Sequence, residues 1–105
     1  EELAAIGEDG TIRIWVWVEE YWEIRRSVIA HRMGGQHIVY SADGQRLITS
    51  GIDRLVKIWD SISLKQLRVR DPEPDSIMSL ALAADGLLAM GRYDGSLRLV
   101  PNILE

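Results

Sequence analysis

Asp53 is the side chain whose setting most strongly suggests chemistry in this sequence. It lies in the stretch GIDRLVKIWD at 51–60, six positions before Trp59, with mostly strand-forming residues between the two. A carboxylate in such a place either reacts with a substrate or holds the frame of the fold. A buried carboxylate without hydrogen-bond partners is very costly, so a frame role requires donors at suitable spacing.

Few other residues suggest a reactive or ligand-binding site. His31 and His37 could be combined with Asp43 as ligands of a metal ion. The carboxylates form no recognisable acid/base motif, and the stretches GEDG and MGG lack the glycine spacing and following helix of a phosphate-binding loop. The chain has no cysteine to act as a thiolate ligand or nucleophile. We therefore expect no catalytic residue, no metal and no cofactor.

Length and charge limit the partners. With 105 residues the chain is at most one domain. Its formal net charge is −4, so it offers no basic field to attract nucleic acid. No apolar run approaches the ~20 residues of a membrane span, and no signal-peptide pattern begins the sequence. We expect an intracellular protein of the cytoplasm with no nucleic-acid and no membrane partner.

The sequence repeats itself. Three segments align without gaps: LAAIGEDGTIRIW (3–15), LITSGIDRLVKIW (47–59) and LAMGRYDGSLRLV (88–100). Their aspartates, Asp9, Asp53 and Asp94, are 44 and 41 positions apart. A repeat of this length, made of short strands separated by Asp-Gly turns, is typical of a propeller blade.

Alternating polar and apolar residues, rich in β-branched and aromatic types, predict strands throughout the chain. The segment 21–29 could also be a helical turn, and the two prolines of DPEPD (71–75) predict a surface connection. The predicted strands lie near 3–7, 11–17, 21–29, 37–41, 46–50, 55–60, 65–70, 77–82, 87–91 and 96–100.

These residues and repeats resemble the WD-repeat β-propeller family over nearly the whole chain. The middle copy matches best, because a histidine stands ten residues before Ser41, as in the family's Gly-His dipeptide, although Ala30 replaces the glycine. Asp60 completes the family's Trp-Asp pair. The resemblance implies that Asp53 belongs to the frame, in a structural tetrad of buried, hydrogen-bonded side chains formed by His31, Thr49, Asp53 and Trp59.

The outer copies depart from the family's pattern. In the first copy, Ala5 replaces the hydroxyl residue and Val16 replaces the aspartate after the tryptophan. In the third copy, Met90 replaces the hydroxyl, Val100 the tryptophan and Glu73 the histidine. We expect these two copies to depend on apolar packing in place of the polar chain.

The resemblance also implies an architecture. We expect an all-β fold of antiparallel four-stranded propeller blades, with an incomplete ring in one chain. Counting strands a to d outward from the axis, residues 1–105 form a single partial propeller: strands b-c-d over 1–29, a complete blade over 30–70 and strands a-b-c over 76–100. Other chains or further blades of a parent protein would complete the ring, because propellers typically have about four to eight blades.

The function implied by the resemblance is a non-catalytic scaffold that binds a protein or peptide. The alternative is an enzyme on a propeller frame, with its active site at the central channel. Trp17 and Trp22 are expected to pack between blades, with a role as exposed partner anchors as the other interpretation. The candidate partner-binding residues, taken from the loops at one face, are Glu8, Arg32, Met33, Gln36, Ile52 and Tyr93.

Overall fold

The computed structural model describes residues 1–105 as ten β-strands without a helix. The expectation of an all-β fold is confirmed. The segment 21–29 is a strand and not a helical turn. The strands are β1 (Glu2–Ile6), β2 (Thr11–Val18), β3 (Tyr21–Ile29), β4 (Gly35–Tyr40), β5 (Arg46–Gly51), β6 (Val56–Asp60), β7 (Gln66–Val69), β8 (Ile77–Leu82), β9 (Leu88–Arg92) and β10 (Leu97–Val100).

The strands form three antiparallel sheets in which sequence neighbours are spatial neighbours. The first sheet has the order β1-β2-β3, the second β4-β5-β6-β7, and the third β8-β9-β10. Strand β4 contacts both β1 and β8, so the second sheet lies between the other two. The sheets have the form of propeller blades and do not close a ring. No helix of the length and apolar character needed to span a membrane is present.

Six aspartates shape the tight turns between strands. Each accepts a hydrogen bond, at 2.9–3.1 Å, from the backbone amide two residues further on. Because this bond is local, it stabilises the turn independently of tertiary contacts. The aspartates are Asp9, Asp43, Asp53, Asp60, Asp85 and Asp94.

Two apolar clusters hold the sheets together. One lies between the first and second sheets and the other between the second and third. Because successive side chains of a strand point to opposite faces, Leu47 joins the first cluster and Ile48 the second. On β6, Trp59 likewise joins the first cluster and Ile58 the second. The second sheet is thus buried on both faces, whereas each outer sheet buries one face only.

Candidate protein-interaction surface and its supporting side chains

Four side chains of the second sheet form a continuous hydrogen-bonded chain. The His31 Nδ1 atom lies 2.9 Å from Oδ2 and 3.0 Å from Oδ1 of Asp53. On the other side of the ring, Nε2 lies 2.8 Å from the Thr49 hydroxyl. The Trp59 indole N–H donates to the same hydroxyl at 2.9 Å. The structure therefore brings together all four residues of the predicted tetrad.

The protonation of this polar chain follows from its surroundings. Burial lowers the pKa of His31 below its ordinary value, and the carboxylate of Asp53 opposes this effect only in part. The positive charge of Lys57 lowers the pKa further. A neutral imidazole can donate from Nδ1 to Asp53 and accept the Thr49 hydroxyl proton at Nε2. In this tautomer every donor and acceptor between the carboxylate and the indole is used.

Each member of the polar chain comes from a different element. His31 lies in the connection between β3 and β4, Thr49 on β5, Asp53 in the turn after β5, and Trp59 on β6. Gly51 permits the close approach, since a Cβ at this position would lie 2.6 Å from the His31 ring. The polar chain thus ties two loops to the centre of the second sheet.

In the first sheet, a surface ion pair holds the turn aspartate that is equivalent to Asp53. Asp9 accepts from the guanidinium of Arg13, with 2.6 Å between Oδ2 and Nη2. The hydrogen bond from this guanidinium lowers the pKa of Asp9 to about 2, with a smaller contribution from the amide of Thr11. The first sheet therefore anchors its turn aspartate locally, by a bond four residues along the chain.

The third sheet has an ionic chain that runs from the buried Glu73 to the exposed Asp94, and the sequence did not predict it. Glu73 is almost fully buried, and its Oε1 lies 3.6 Å from Nη1 of Arg92. The Nε of Arg92 donates to the Ser96 hydroxyl at 3.0 Å, and this hydroxyl donates to Asp94 at 2.6 Å. A signal was present in the sequence, because a glutamate at the histidine position requires a cation nearby.

In the third sheet, apolar residues stand where the second sheet has the hydroxyl and the tryptophan, as expected for the third copy. Met90 is fully buried and Val100 nearly so, and both belong to the cluster between the second and third sheets. The third sheet therefore combines apolar packing with an ion pair, where the second sheet has a neutral hydrogen-bonded chain.

The loops at one end of the sheets carry the candidate partner-binding residues. In an up-and-down array the turns after β1, β5 and β9 lie at the same end as the connections after β3 and β7. Backbone bonds join the first loops: Gly35 donates to Gly7 at 3.1 Å and Ile52 donates to Gly34 at 3.0 Å. All six candidates are exposed: Glu8, Arg32, Met33, Gln36, Ile52 and Tyr93.

Tyr93 lies further along this surface, on the third sheet. Its amide donates to the carbonyl of Ser76 at 2.9 Å, and the amide of Asp94 donates to Asp75 at 3.0 Å. These bonds attach the turn after β9 to the connection after β7. The same connection is bonded to the turn after β5, because the amide of Glu73 donates to the carbonyl of Arg54 at 2.9 Å.

Part of the chain is similar to a known repeat family. The family model described as "WD domain, G-beta repeat" matches residues 23–60, which contain the whole polar chain of the second sheet. This segment is therefore similar to a WD repeat. The chain is 28% identical over 81 residues, 76% of its length, to Protein HIR1 of Candida albicans, and 31% identical over 49 residues, 47% of its length, to Protein HIR1 of Eremothecium gossypii. These matches span 9% and 6% of the two relatives' lengths.

The residues considered as metal ligands lie apart in the structure. His31 is engaged by Asp53 and Thr49, while Asp43 accepts from the hydroxyl of Ser41 at 2.7 Å in a turn at the other end of the sheet. No group of three or more histidine, aspartate or glutamate side chains is arranged to hold a metal ion.

Trp17 and Trp22 lie on the outer face of the first sheet. They pair across β2 and β3 and pack against each other edge to face, with 5.4 Å between ring centroids. Both are exposed, at 50% and 37%. Because side chains alternate along β2, Trp17 points away from the second sheet, whereas Ile14 and Val16 point toward it. Neither tryptophan enters an apolar cluster between the sheets.

Proposed function

We propose that this chain is part of a WD-repeat propeller and a non-catalytic scaffold that binds a protein or peptide through the loops after β1, β3, β5 and β9. One observation carries the proposal: the two most exposed large apolar side chains, Tyr93 at 74% and Met33 at 70%, both lie on these loops. Exposed apolar side chains at a loop surface are typical of protein-binding sites, and tyrosine is enriched among interface hot spots.

Polar candidates lie on the same loops as Met33 and Ile52. Glu8, Arg32 and Gln36 are exposed beside Met33 and Ile52 on neighbouring loops. Apolar anchors within a polar rim are the usual composition of a non-obligate protein interface. Met33 adds adaptability, since the unbranched thioether side chain fits irregular surfaces.

The polar chain of the second sheet supports this surface in our proposal. His31 directly precedes Arg32 and Met33, and Asp53 directly follows Ile52. The bond between His31 and Asp53 therefore ties together the two loops that carry these candidates. A rigid loop loses less entropy on binding, so the polar chain would raise affinity without contacting the partner.

The remaining carboxylates support a frame role over catalysis. The pKa values of Asp9, Asp43, Asp60 and Asp94 are all lowered, chiefly by hydrogen bonds from residues two to four positions away. These side chains lie in separate turns and stay ionised, whereas a general acid needs a raised pKa. We place the protein inside the cell and expect neither nucleic acid nor membrane among its partners, in keeping with the net charge of −4.

We also propose that further strands complete the ring, either in other chains or in other parts of a parent protein. In this assignment residues 1–29 supply strands b-c-d of one blade, 30–70 a whole blade, and 76–100 strands a-b-c of a third. The exposed side chains of Leu3, Leu97 and Leu99 support it, since they are apolar and lie on the outer sheets. The small share of the HIR1 proteins that the chain matches agrees with a larger parent.

Site-specific photo-crosslinking tests the binding surface. A photoreactive side chain at Met33 or Tyr93 should capture the same protein partner, whereas one at Ile62 should not. Ile62 is the matched control, because it is 66% exposed but lies in the turn after β6, at the opposite end of the sheets.

The affinity for the captured partner gives the second measurement. Met33→Ala combined with Tyr93→Ala should weaken binding by about tenfold or more, as expected for truncated hot-spot residues. Ile62→Ala should leave the affinity unchanged. Equal weakening by both changes, or by neither, would refute the proposed surface.

A further inference from the structure

Three arginines face one another across the groove between the second and third sheets. Arg68 pairs with Ile58, whose side chain belongs to the cluster between these sheets, so Arg68 points toward the third sheet. Arg70, two residues on, lies on the same side. Arg98 pairs with Met90 of the same cluster and points toward the second sheet. Together with residues 69 and 71–74 they line an open cavity of about 380 Å³, which we call the arginine groove.

The three guanidinium groups form no ion pair within the chain, although Asp71 and Glu73 line the same cavity. None of them takes part in a salt bridge with an aspartate or glutamate. The Nε atom of Arg70 is buried and has no hydrogen-bond partner. Converging like charges and an unmade buried hydrogen bond both destabilise the free protein, and an anionic ligand would relieve both.

The groove between the first and second sheets provides an internal comparison. There, Arg26 stands five residues before His31, as Arg68 stands five before Glu73, and Lys57 stands where the third sheet has Arg98. Arg26 pairs with Glu2 at 2.9 Å and donates to the carbonyl of Ser61 at 3.1 Å. The ammonium of Lys57 donates to the carbonyl of Ala30 at 2.6 Å.

The third basic position differs between the two grooves. Val28 stands three residues before His31, whereas Arg70 stands three before Glu73. The first groove therefore pairs both of its basic groups within the chain, although the Nε atom of Arg26, like that of Arg70, is buried without a partner. The arginine groove has one basic group more and satisfies none of the three. This difference between otherwise equivalent positions points to a ligand and not to a general feature of the repeat.

We propose that the arginine groove binds an acidic peptide segment of a partner protein, an inference that rests on the proposed function as a protein-binding scaffold. Guanidinium groups match carboxylates in bidentate geometry. Glu73 lines the same cavity, and its buried Oε1 accepts no hydrogen bond. A peptide supplies carboxylates to the arginines and backbone N–H groups to Glu73, whereas a compact phosphate dianion would be repelled by Glu73 and Asp71.

Fluorescence anisotropy of a labelled peptide tests this proposal. The probe is a fluorescein-labelled peptide of alternating glutamate and alanine, and its control has glutamine in place of every glutamate. The glutamate peptide should bind the full chain, more weakly at about 200 mM than at about 50 mM salt because the contact is ionic. Equal binding of the glutamine peptide, or no binding of the glutamate peptide, would overturn the proposal.

Charge-matched variants locate the site. Arg68→Gln with Arg98→Gln should weaken peptide binding about tenfold or more, because it removes two charge-assisted contacts. Arg25→Gln with Lys65→Gln removes the same charge from exposed positions outside the groove and should leave binding unchanged. Equal loss in the two pairs would show attraction to overall charge and overturn the site.

Two further measurements separate the possible failures. Arg68→Glu alone, at an exposed position, should weaken binding while the melting temperature stays that of the parent. Inorganic phosphate that displaces the peptide at equal concentration would overturn the choice of a peptide ligand.

The Met33→Ala, Tyr93→Ala variant should bind the glutamate peptide as the parent does. If this variant loses the crosslinked partner while the parent never binds the peptide, only the arginine groove fails. If the peptide binds the groove but no partner is crosslinked at Met33 or Tyr93, only the loop surface fails.

Discussion

The second and third sheets hold the same turn in two different ways. In the second sheet a neutral chain of hydrogen bonds runs from Asp53 through His31 and Thr49 to Trp59. In the third sheet Glu73 and Arg92 form a buried ion pair that reaches Asp94 through Ser96. The chain in the second sheet satisfies its buried polar groups by hydrogen bonds, whereas the third sheet compensates the charge of Glu73 by an ion pair and leaves its Oε1 without a hydrogen bond.

The two solutions differ in their sensitivity to change. A buried ion pair gains little over apolar packing when intact, yet it is strongly destabilising when one partner is lost. A neutral hydrogen-bonded chain loses a smaller amount at each broken bond. Loss of one partner should therefore lower the free energy of unfolding more in the third sheet than in the second.

The largest effect is expected for Arg92→Leu, which leaves the buried carboxylate of Glu73 without its cation. It should lower the free energy of unfolding by about 3 kcal/mol, measured by urea denaturation. Combining it with Glu73→Leu should restore stability to within about 1 kcal/mol of the parent, since an apolar pair replaces the ionic pair. A loss below about 1 kcal/mol for Arg92→Leu alone would mean that an arginine of the arginine groove replaces Arg92 as the ion-pair partner of Glu73.

Asp53→Ala should lower the free energy of unfolding by about 2–3 kcal/mol, because it leaves the imidazole of His31 and the amide of Leu55 without an acceptor. Asp85→Ala is the matched control. Asp85 holds an equivalent turn through the amide of Leu87 at 3.1 Å but meets no histidine, so its loss should cost below about 1 kcal/mol. Equal losses for both aspartates would remove any special role of the polar chain.

Trp59→Phe should destabilise the protein by about 1–2 kcal/mol, through the lost indole bond to Thr49 and a small cavity. Thermal unfolding of this variant can be compared with that of Trp17→Phe. Trp17 is half exposed and its indole donates no hydrogen bond to the protein, so its replacement should change stability by less than about 0.5 kcal/mol. If both variants had the melting temperature of the parent, the polar chain would contribute nothing measurable to stability.

The smallest effect is expected from pH. The pKa of His31 is lower in the folded protein than its ordinary value of 6.5, so the unfolded chain binds more protons near and below that value. Stability should therefore fall as the pH decreases from 7 to 5. Urea denaturation across this range should give a flatter profile for His31→Gln, which cannot titrate at this position. A parent profile that rises toward pH 5 would contradict a neutral His31.

The strands and turns could be predicted from the sequence because the signals that specify them are local. Strand alternation and the bond of each turn aspartate to the amide two residues further on act within a few residues, so the ten strands could be predicted with small shifts at their ends. The resemblance to the WD-repeat family implied the four side chains that the structure joins in the second sheet. Their contribution to stability stays a prediction until the variants are measured.

Contacts between sheets were beyond the sequence analysis. Glu73 meets Arg92 only because the connection after β7 packs beside the end of β9, 19 positions away in the chain. The exposure of Trp17 and Trp22 depends on which face of the first sheet meets the second. The arginine groove likewise depends on how the strands of two sheets align, which no repeat spacing specifies.

The match at 23–60 begins in the outer strand of the first sheet and ends with the third strand of the second. Repeat boundaries and sheet boundaries are therefore offset by one strand. Deletion of one whole repeat removes the outer strand of one sheet and the three inner strands of the next, and the following repeat supplies the same set of strands. Duplication of one whole repeat adds the same set. The number of blades could thus change during evolution without leaving any sheet short of a strand.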